Sequence, residues 1–151
     1  MLVKSAMATN LLTIKPQDSL KKAMEQLCNN KISGLPVVDS DNKLVGIISE
    51  KDILKAMFVP TASELYEFSH FDFDDIESRY QDIRHLQIDS IMTRKVQTIS
   101  PEDNLIKAAS LMLLNSIRRL PVVDENGQLL GIISQGDVHQ AIFKKYLQKT
   151  D

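Results

Sequence analysis

The chain carries Gly-Ile-Ile-Ser-Glu-Lys-Asp at residues 46–52 and Gly-Ile-Ile-Ser-Gln-Gly-Asp at residues 131–137. The match extends beyond this motif, because residues 3–55 align with residues 88–140 without a gap, and 22 of the 53 positions are identical. Tandem copies of a small unit usually pack on each other, since neither copy can bury its apolar face alone. The sequence therefore predicts a duplicated fold built from two matching halves.

Three matched clusters divide the chain into two repeats and a spacer. The clusters are residues 13–20 with 98–105, residues 35–39 with 120–124, and residues 46–52 with 131–137. The predicted domains are repeat 1 at residues 1–58, an aromatic and acidic helical spacer at residues 59–86, and repeat 2 at residues 87–151.

The helices of each repeat follow from hydrophobic periodicity. A short strand leads through Pro16 into a helix whose apolar residues recur at the i, i+3, i+4 and i+7 spacing of one helical face. A second helix is predicted to begin at Glu50 and, in the other copy, at Gln135. The apolar stripe of the first helix comprises Leu20, Ala23, Met24 and Leu27 in repeat 1 and Leu105, Ala108, Ala109 and Met112 in repeat 2.

Two short strands are predicted between the helices of each repeat. Residues 35–38 and 44–49 are apolar throughout and rich in β-branched side chains, which favours strands covered on both faces. In repeat 2 the connection contains Asn126-Gly127, a strong hairpin signal. Each repeat is therefore predicted as βαββα, and the fold class as α/β of the α+β type.

The spacer is too aromatic for a flexible linker. It is also predicted to form a helix at residues 74–86 with Ile76, Tyr80 and Ile83 on one face. Burial in the local core is favoured over a role at a partner interface, and both readings stay open. The aromatic residues of the segment that breaks the repeat, residues 56–87, are Phe58, Tyr66, Phe68, Phe71, Phe73 and Tyr80.

Composition is that of an ordinary globular protein, with 43% hydrophobic residues, 25% charged residues and a net charge of −2. This charge gives no overall attraction to nucleic acid or to an anionic membrane. No apolar run approaches the ~20 residues of a membrane span, and the first residues lack the apolar stretch of a secretory signal. Cys28 is the single cysteine, expected to be a buried thiol, and a cytoplasmic location is expected.

The Ser-x-x-Asp ends of the matched motif carry the sharpest chemistry. A serine that ends a strand, with a carboxylate three residues later, places a hydroxyl and a carboxylate together at a helix N-terminus, where N–H groups attract phosphate. A carboxylate there can also accept both hydroxyl groups of a ribose. The same pattern is a capping box, a purely structural device, and pattern alone favours the cap. One carboxylate can serve both roles.

The three ordered motifs, present twice, resemble the cystathionine-β-synthase (CBS) domain, of which a pair forms a Bateman module. The resemblance covers about 105 residues, all but the spacer and the termini. It implies two pseudo-twofold-related units packed through their sheets, with two clefts between the repeats. Such clefts typically bind adenosine-containing ligands such as AMP, ADP, ATP and S-adenosylmethionine. The resemblance also implies that the chain forms a homodimer and that a separate effector protein could be its partner.

The resemblance assigns the ligand contacts to matched positions. Asp52 and Asp137 would bind ribose, while Ser49 and Ser134 would bind ribose or phosphate. The pairs that would complete the clefts are Thr13-Ile14 and Thr98-Ile99 at the adenine end, with Ser33-Gly34 in repeat 1 and Arg118-Arg119 in repeat 2.

The last of these pairs predicts unequal sites. Arginine offers a planar donor fork that suits phosphate, whereas Gly34 offers close approach without charge. Solvated cations, or partners of the acidic spacer, remain the alternative reading of Arg118 and Arg119. Both motifs carry serine where many relatives carry threonine, which keeps the hydroxyl group.

Other chemistry is poorly supported by the sequence. Acidic residues near the start of the spacer helix could be imagined as a hard-cation site, but the helix dipole favours them there anyway. No activated nucleophile or acid–base pair is visible, so the chain is expected to be non-catalytic, with no cofactor and no metal. The rival function is a structural dimerisation module with degenerate clefts. The imagined cation ligands are His70, Asp72, Asp74, Asp75 and Glu77.

Overall fold

The structure is a computed structural model that describes residues 1–58 and 72–148. It divides into two compact units, each built mainly around one repeat. The N-repeat unit comprises Thr13–Asp39 and Val45–Val96, and the C-repeat unit comprises Met1–Leu12, Ser40–Leu44 and Gln97–Asp151. The spacer residues Tyr66, Phe68, His70 and Phe71 lie outside the described residues, so the predictions made for them are not addressed.

The element order repeats a helix, two strands and a helix, as predicted for each copy. In repeat 1 these elements are α1 (Leu20–Asn30), β1 (Gly34–Val38), β2 (Leu44–Ser49) and α2 (Glu50–Phe58). The spacer contributes α3 (Phe73–Asp82) and a 3-10 turn (Ile83–His85), and α4 (Ile88–Ile91) follows at the start of repeat 2. Repeat 2 contains α5 (Leu105–Leu114), β3 (Arg119–Val123), β4 (Leu129–Ser134) and α6 (Gln135–Tyr146).

The sheet of the N-repeat unit gains an extra segment on each side of the β1–β2 pair. Ile14 forms an isolated parallel bridge to Val37, in place of the predicted first strand. On the other side, Thr93 forms an antiparallel bridge to Ile47, with N···O distances of 2.8 and 2.9 Å. A segment near the start of repeat 2 thus completes the sheet of repeat 1.

The C-repeat unit is built in the same way. Strands β3 and β4 pair in antiparallel register, and Ile99 bridges Val122 in parallel. Ala8 bridges Ile132 on the opposite side, with N···O distances of 2.8 and 2.9 Å. The sheet of each repeat therefore takes one segment from the first residues of the other repeat. The predicted boundaries after residues 58 and 86 describe the sequence repeat and stay a prediction.

Gly46 and Gly131, the first residue of the motif in each copy, leave room for the bridging segments at Thr93 and Ala8. A Cβ added at Gly131 would lie 2.7 Å from the backbone oxygen of Ala8. A Cβ at Gly46 would lie 2.9 Å from the backbone oxygen of Thr93. Real Cβ atoms do not approach this closely, so the first residue of the motif has a packing role in both copies.

The predicted apolar helical stripes are confirmed. Leu20, Ala23, Met24 and Leu27 are buried in the core of the N-repeat unit. In α5, Leu105, Ala108 and Met112 are buried, and Ala109 packs partly buried against the same core. Each helix has a side-chain cap, since Ser19 accepts from the Lys22 N–H and Asn104 accepts from the Ile106 N–H.

The expectation that Cys28 is buried is wrong, because this thiol is exposed. At 100° per residue, position 28 lies about 90° from the centre of the stripe on α1. The side chain therefore leaves the apolar face although its chain neighbour Leu27 is buried.

Lys31→Gly is expected to raise the free energy of unfolding by about 1 kcal/mol. Lys31 ends α1 in the left-handed region, with φ 52° and ψ 45°, where a Cβ is strained and glycine is favoured. Urea or thermal denaturation would measure the gain. Lys31→Ala is the matched control, since it removes the same side chain but keeps the Cβ. An equal gain in both variants would contradict the strain argument.

Asp18 and Asp103, which match each other in the clusters at residues 13–20 and 98–105, are structural. Burial opposes ionisation of Asp18, but the hydrogen bond from the Lys15 N–H and the charge of Lys22 hold the pKa of its carboxyl below the usual value. The Lys107 side chain donates to Asp103 at 2.8 Å and lowers the pKa of that carboxyl. Both carboxylates fix the turn that enters the following helix.

Strand burial matches the prediction only in part. Strands β1 and β3 are buried over most of their length, whereas β2 and β4 alternate between buried and less buried residues. The hairpin predicted at Asn126-Gly127 is present, with Gly127 at φ 80°, a conformation that glycine adopts without strain.

The spacer helix is shorter than predicted, since α3 ends at Asp82 and a 3-10 turn follows. Ile76 and Ile83 are buried as predicted, whereas Tyr80 remains 38% exposed. Asp72 caps the helix by accepting from two backbone N–H groups of its first turn. Over residues 1–58 and 72–148, no group of three candidate metal ligands comes together. Within the same ranges, no helix is both long and apolar enough for a bilayer crossing.

Candidate functional site

In the C-repeat unit, the hydroxyl and carboxylate of the motif meet where β4 ends and α6 begins. The Ser134 hydroxyl and the Asp137 Oδ2 are 2.8 Å apart, and the Ser134 N–H donates to the same oxygen at 2.8 Å. The Asp137 N–H donates in turn to the Ser134 hydroxyl oxygen at 3.1 Å. This is the predicted capping box, and we call the pair the C-corner.

The N-repeat unit repeats this arrangement at the start of α2. Asp52 Oδ2 accepts from the Ser49 N–H and from the Ser49 hydroxyl, both at 2.8 Å. We call this pair the N-corner. All four side chains are half-buried, so neither corner is sealed from solvent. The predicted pairing of hydroxyl and carboxylate is present in both copies.

The corners differ at the second carboxylate oxygen. Asp52 Oδ1 accepts a hydrogen bond from the Thr93 hydroxyl at 2.9 Å. Position 8 is the counterpart of position 93 in the aligned repeats, and Ala8 has no hydroxyl to donate. Asp137 Oδ1 consequently makes no hydrogen bond to any residue of 1–58 or 72–148.

Sequence reasoning did not identify Thr93. The aligned repeats place Ala8 opposite Thr93, so the difference was visible. The role of Thr93 depends on its pairing with β2. That pairing brings Thr93 to Asp52, although the two residues lie 41 positions apart along the chain. No local pattern reports such a contact.

Arg119 lies beside the C-corner. It is paired directly with Ser134 in the β3–β4 register, so both side chains leave the sheet on the same face. Its side chain is exposed and forms no hydrogen bond or ion pair with the described residues, 1–58 and 72–148. Arg118, just before the strand, is also exposed, and its carbonyl accepts from the Gln135 N–H at 3.0 Å.

The N-corner has no such cation at the matching position. Gly34 lies beside Ser49, since a Cβ added to this glycine would sit 3.8 Å from the Ser49 Cβ. That distance is an ordinary van der Waals contact, so a side chain would be tolerated here. The neighbouring Ser33 is exposed, and its carbonyl accepts from the Glu50 N–H at 3.0 Å.

The two isoleucines of the candidate set are core residues. Ile14 and Ile99 are 1% and 4% exposed, and each uses both its backbone N–H and its carbonyl in a strand bridge. Their neighbours Thr13 and Thr98 are half-buried and stand closer to solvent. Since Ile99 bridges Val122 in parallel, Thr98 lies two residue rises from Arg119, roughly 7 Å along the strand.

The comparisons with known proteins agree on one family. The family model for the CBS domain matches residues 3–59 and 88–144. An uncharacterised protein of Methanocaldococcus jannaschii is 36% identical over 154 residues, which cover 94% of this chain and 91% of that protein. The chloroplastic CBS domain-containing protein CBSX2 of Arabidopsis thaliana is 34% identical over 142 residues, which cover 87% of this chain. Those residues cover 58% of CBSX2, so this chain spans just over half of that protein.

Two crystal structures of relatives contain adenosine derivatives. CBSX2 in complex with AMP matches with a TM-score of 0.74 and 32% identity, covering 95% of this chain and 97% of that chain. The CBS domain pair of protein MJ0100 was solved with 5′-methylthioadenosine and S-adenosyl-L-methionine. It matches with a TM-score of 0.69 and 26% identity, covering 96% of this chain and 98% of that chain. The predicted α+β fold class is confirmed.

Proposed function

This chain belongs to the CBS-domain family, and on that premise we propose that it is a non-catalytic regulatory module that binds an adenosine-containing ligand. The observation that carries the proposal is the C-corner, where Asp137 Oδ1 makes no hydrogen bond within residues 1–58 and 72–148. Arg119, paired with Ser134 in the strand register, likewise makes no hydrogen bond or ion pair within those ranges. The bound adenosine derivatives of two relatives support the ligand class.

The C-corner can recognise both polar parts of a nucleotide. Asp137 would accept the ribose hydroxyl groups through Oδ1, while its Oδ2 keeps the capping bonds. The phosphate would lie at the N-terminus of α6, where backbone N–H groups and the helix dipole favour an anion. Arg119 would add a bidentate, charged contact to that phosphate, with Arg118 as a second cation.

The remaining candidate residues extend the same proposal. Thr98, with the core residue Ile99 behind it, would border the adenine, since both lie farther along the sheet from the corner. The N-corner would offer Ser49 and Asp52, with the uncharged Ser33 and Gly34 beside them. Thr13 and Ile14 would be the counterparts at its adenine end.

Regulation would come from a change in structure or association on binding. A ligand shifts such an equilibrium only through different affinities for the two states. We propose a homodimer or a separate effector protein as the recipient of that change. The single cysteine suits the reducing cytoplasm, where we propose that the chain acts.

A structural dimerisation module is the second candidate. The capping bonds alone account for the presence of Ser134 and Asp137, because they complete the N-terminus of α6. A protein that uses both corners only as caps would bind no nucleotide.

Titration with AMP, ADP, ATP, NAD and S-adenosylmethionine separates the two candidates. At ten times its Kd, a ligand that binds only the folded state should stabilise the protein by about 1.4 kcal/mol. The expected rise in melting temperature is roughly 3–6 °C for a chain of this size. A matched titration with inosine, guanosine and inorganic phosphate tests whether the adenine is recognised. No shift with any adenosine derivative would favour the structural module.

A further inference from the structure

We infer that Thr93 decides which of the two corners takes the ligand, by occupying an acceptor position on Asp52 that Asp137 keeps free. This inference rests on the proposed function and adds a specificity-determining residue to it. Its basis is the single hydrogen bond from the Thr93 hydroxyl to Asp52 Oδ1, 2.9 Å long, which the other corner lacks.

The hydrogen bond from Thr93 matters because each carboxylate has a limited number of hydrogen-bond acceptor positions. A carboxylate has about four lone-pair positions. Asp137 uses two of them, for the Ser134 N–H and hydroxyl, so about two remain for the two donors of a ribose diol. Asp52 uses the same two for Ser49 and a third for Thr93, so about one remains. A diol can bind fully to Asp52 only if the Thr93 bond breaks.

The backbone at the two positions is equivalent, so the side chain alone makes the difference. Ala8 bridges β4 and Thr93 bridges β2, both with N···O distances of 2.8 and 2.9 Å. Both residues are exposed at their corners. A hydroxyl placed at position 8 should therefore reach Asp137 as the Thr93 hydroxyl reaches Asp52. The chain thus offers a reciprocal pair of substitutions.

The test isolates each corner and then exchanges the hydroxyl. In an Asp137→Ala background, Thr93→Val should tighten AMP binding at the N-corner about tenfold, because the ligand no longer competes with a charge-assisted bond. In an Asp52→Ala background, Ala8→Thr should weaken AMP binding at the C-corner by a similar factor. Isothermal titration calorimetry measures both Kd values, and valine keeps the β-branched shape of threonine.

A second probe ties the effect to the diol. With 2′-deoxy-AMP, which presents one hydroxyl fewer, both substitutions should change the Kd much less than with AMP. Melting temperatures of the four variants, without ligand, exclude unfolding as the cause of a change.

The outcomes distinguish this inference from the function on which it rests. AMP binding with a Kd that neither Thr93→Val nor Ala8→Thr changes would overturn the role of Thr93 and leave the proposed function intact. Equal changes with AMP and with 2′-deoxy-AMP would also overturn it, since the ribose diol would not be involved. Failure of the unmodified protein to bind AMP or any other adenosine derivative would reject the proposed function, and this inference with it.

Discussion

Asp137→Ala is expected to weaken the binding of AMP by about 10- to 150-fold, the range for loss of hydrogen bonds to a charged acceptor. Among the residues that the structure describes, nothing hydrogen-bonds to the second oxygen of the wild-type carboxylate, and its position is fixed because the other oxygen is held by Ser134. A ligand therefore meets an acceptor that needs no reorganisation. Isothermal titration at a temperature well below the melting transition measures the change directly.

Asp52→Ala is the matched control for this prediction. It removes the same capping carboxylate at the start of α2, so both variants should lose stability on the order of 1 kcal/mol. Its effect on AMP affinity should be much smaller, because the Thr93 hydroxyl already occupies that carboxylate. Equal losses of affinity in the two variants would contradict the assignment of the principal site to the C-corner. Unchanged affinity in Asp137→Ala would remove this aspartate from the site.

Asp137→Asn separates the two roles of the residue. The amide oxygen can still accept the capping bond from Ser134, so stability should fall less than in Asp137→Ala. The negative charge is lost, and the affinity for a ribose diol should fall with it. A variant that keeps its melting temperature and loses AMP binding would assign the residue to the ligand as well as to the cap.

The sequence predicted the local elements well because each has a periodic signal. The stripe from Leu20 to Leu27 repeats at helical spacing, and the helices begin at Glu50 and Gln135 as expected. The capping geometry at both corners also followed from spacing alone, since Ser-x-x-Asp brings the two side chains together in any helix start.

Features that depend on distant pairing were not predictable in this way. The exchange that carries Ala8 and Thr93 into the sheets requires knowledge of which segments bridge, and the periodicity of a short strand does not report its partner. Cys28 was misplaced for a different reason, because it follows the buried Leu27 in sequence but lies about 90° from the centre of the apolar stripe on α1. The sequence predicted unequal sites from Arg118-Arg119 and Ser33-Gly34, but the difference at the second carboxylate oxygen becomes visible only when Thr93 is placed beside Asp52 in space.

Gly131→Ala is expected to lower the free energy of unfolding by roughly 2–3 kcal/mol, near the upper end for forcing one extra carbon into a packed interior. The new Cβ would lie 2.7 Å from the backbone oxygen of Ala8 and 2.9 Å from the sulfur of Met7. The methionine side chain can rotate, but the backbone oxygen is held because the Ala8 carbonyl accepts from the Ile132 N–H at 2.9 Å. Relief of the clash must therefore disturb that bridge, and urea denaturation measures the cost.

The variants Gly46→Ala and Gly136→Ala test the cause of the lost stability. It comes either from the contact of the new Cβ with a backbone oxygen or merely from the loss of glycine. Gly46→Ala meets the backbone oxygen of Thr93 at 2.9 Å and should be destabilising to a similar degree. Gly136 lies in the first turn of α6, where the nearest atom to a new Cβ is the Ser134 hydroxyl oxygen at 3.6 Å. Alanine there should be neutral or stabilising by up to about 1 kcal/mol, since it is the better helix former.

If Gly131→Ala lowers the free energy of unfolding no more than Gly136→Ala does, the Ala8 segment is not held against β4. Position 8 could then not supply a hydroxyl to Asp137 in the Ala8→Thr variant, so the stability experiment also tests the geometry on which the selectivity of the corners depends.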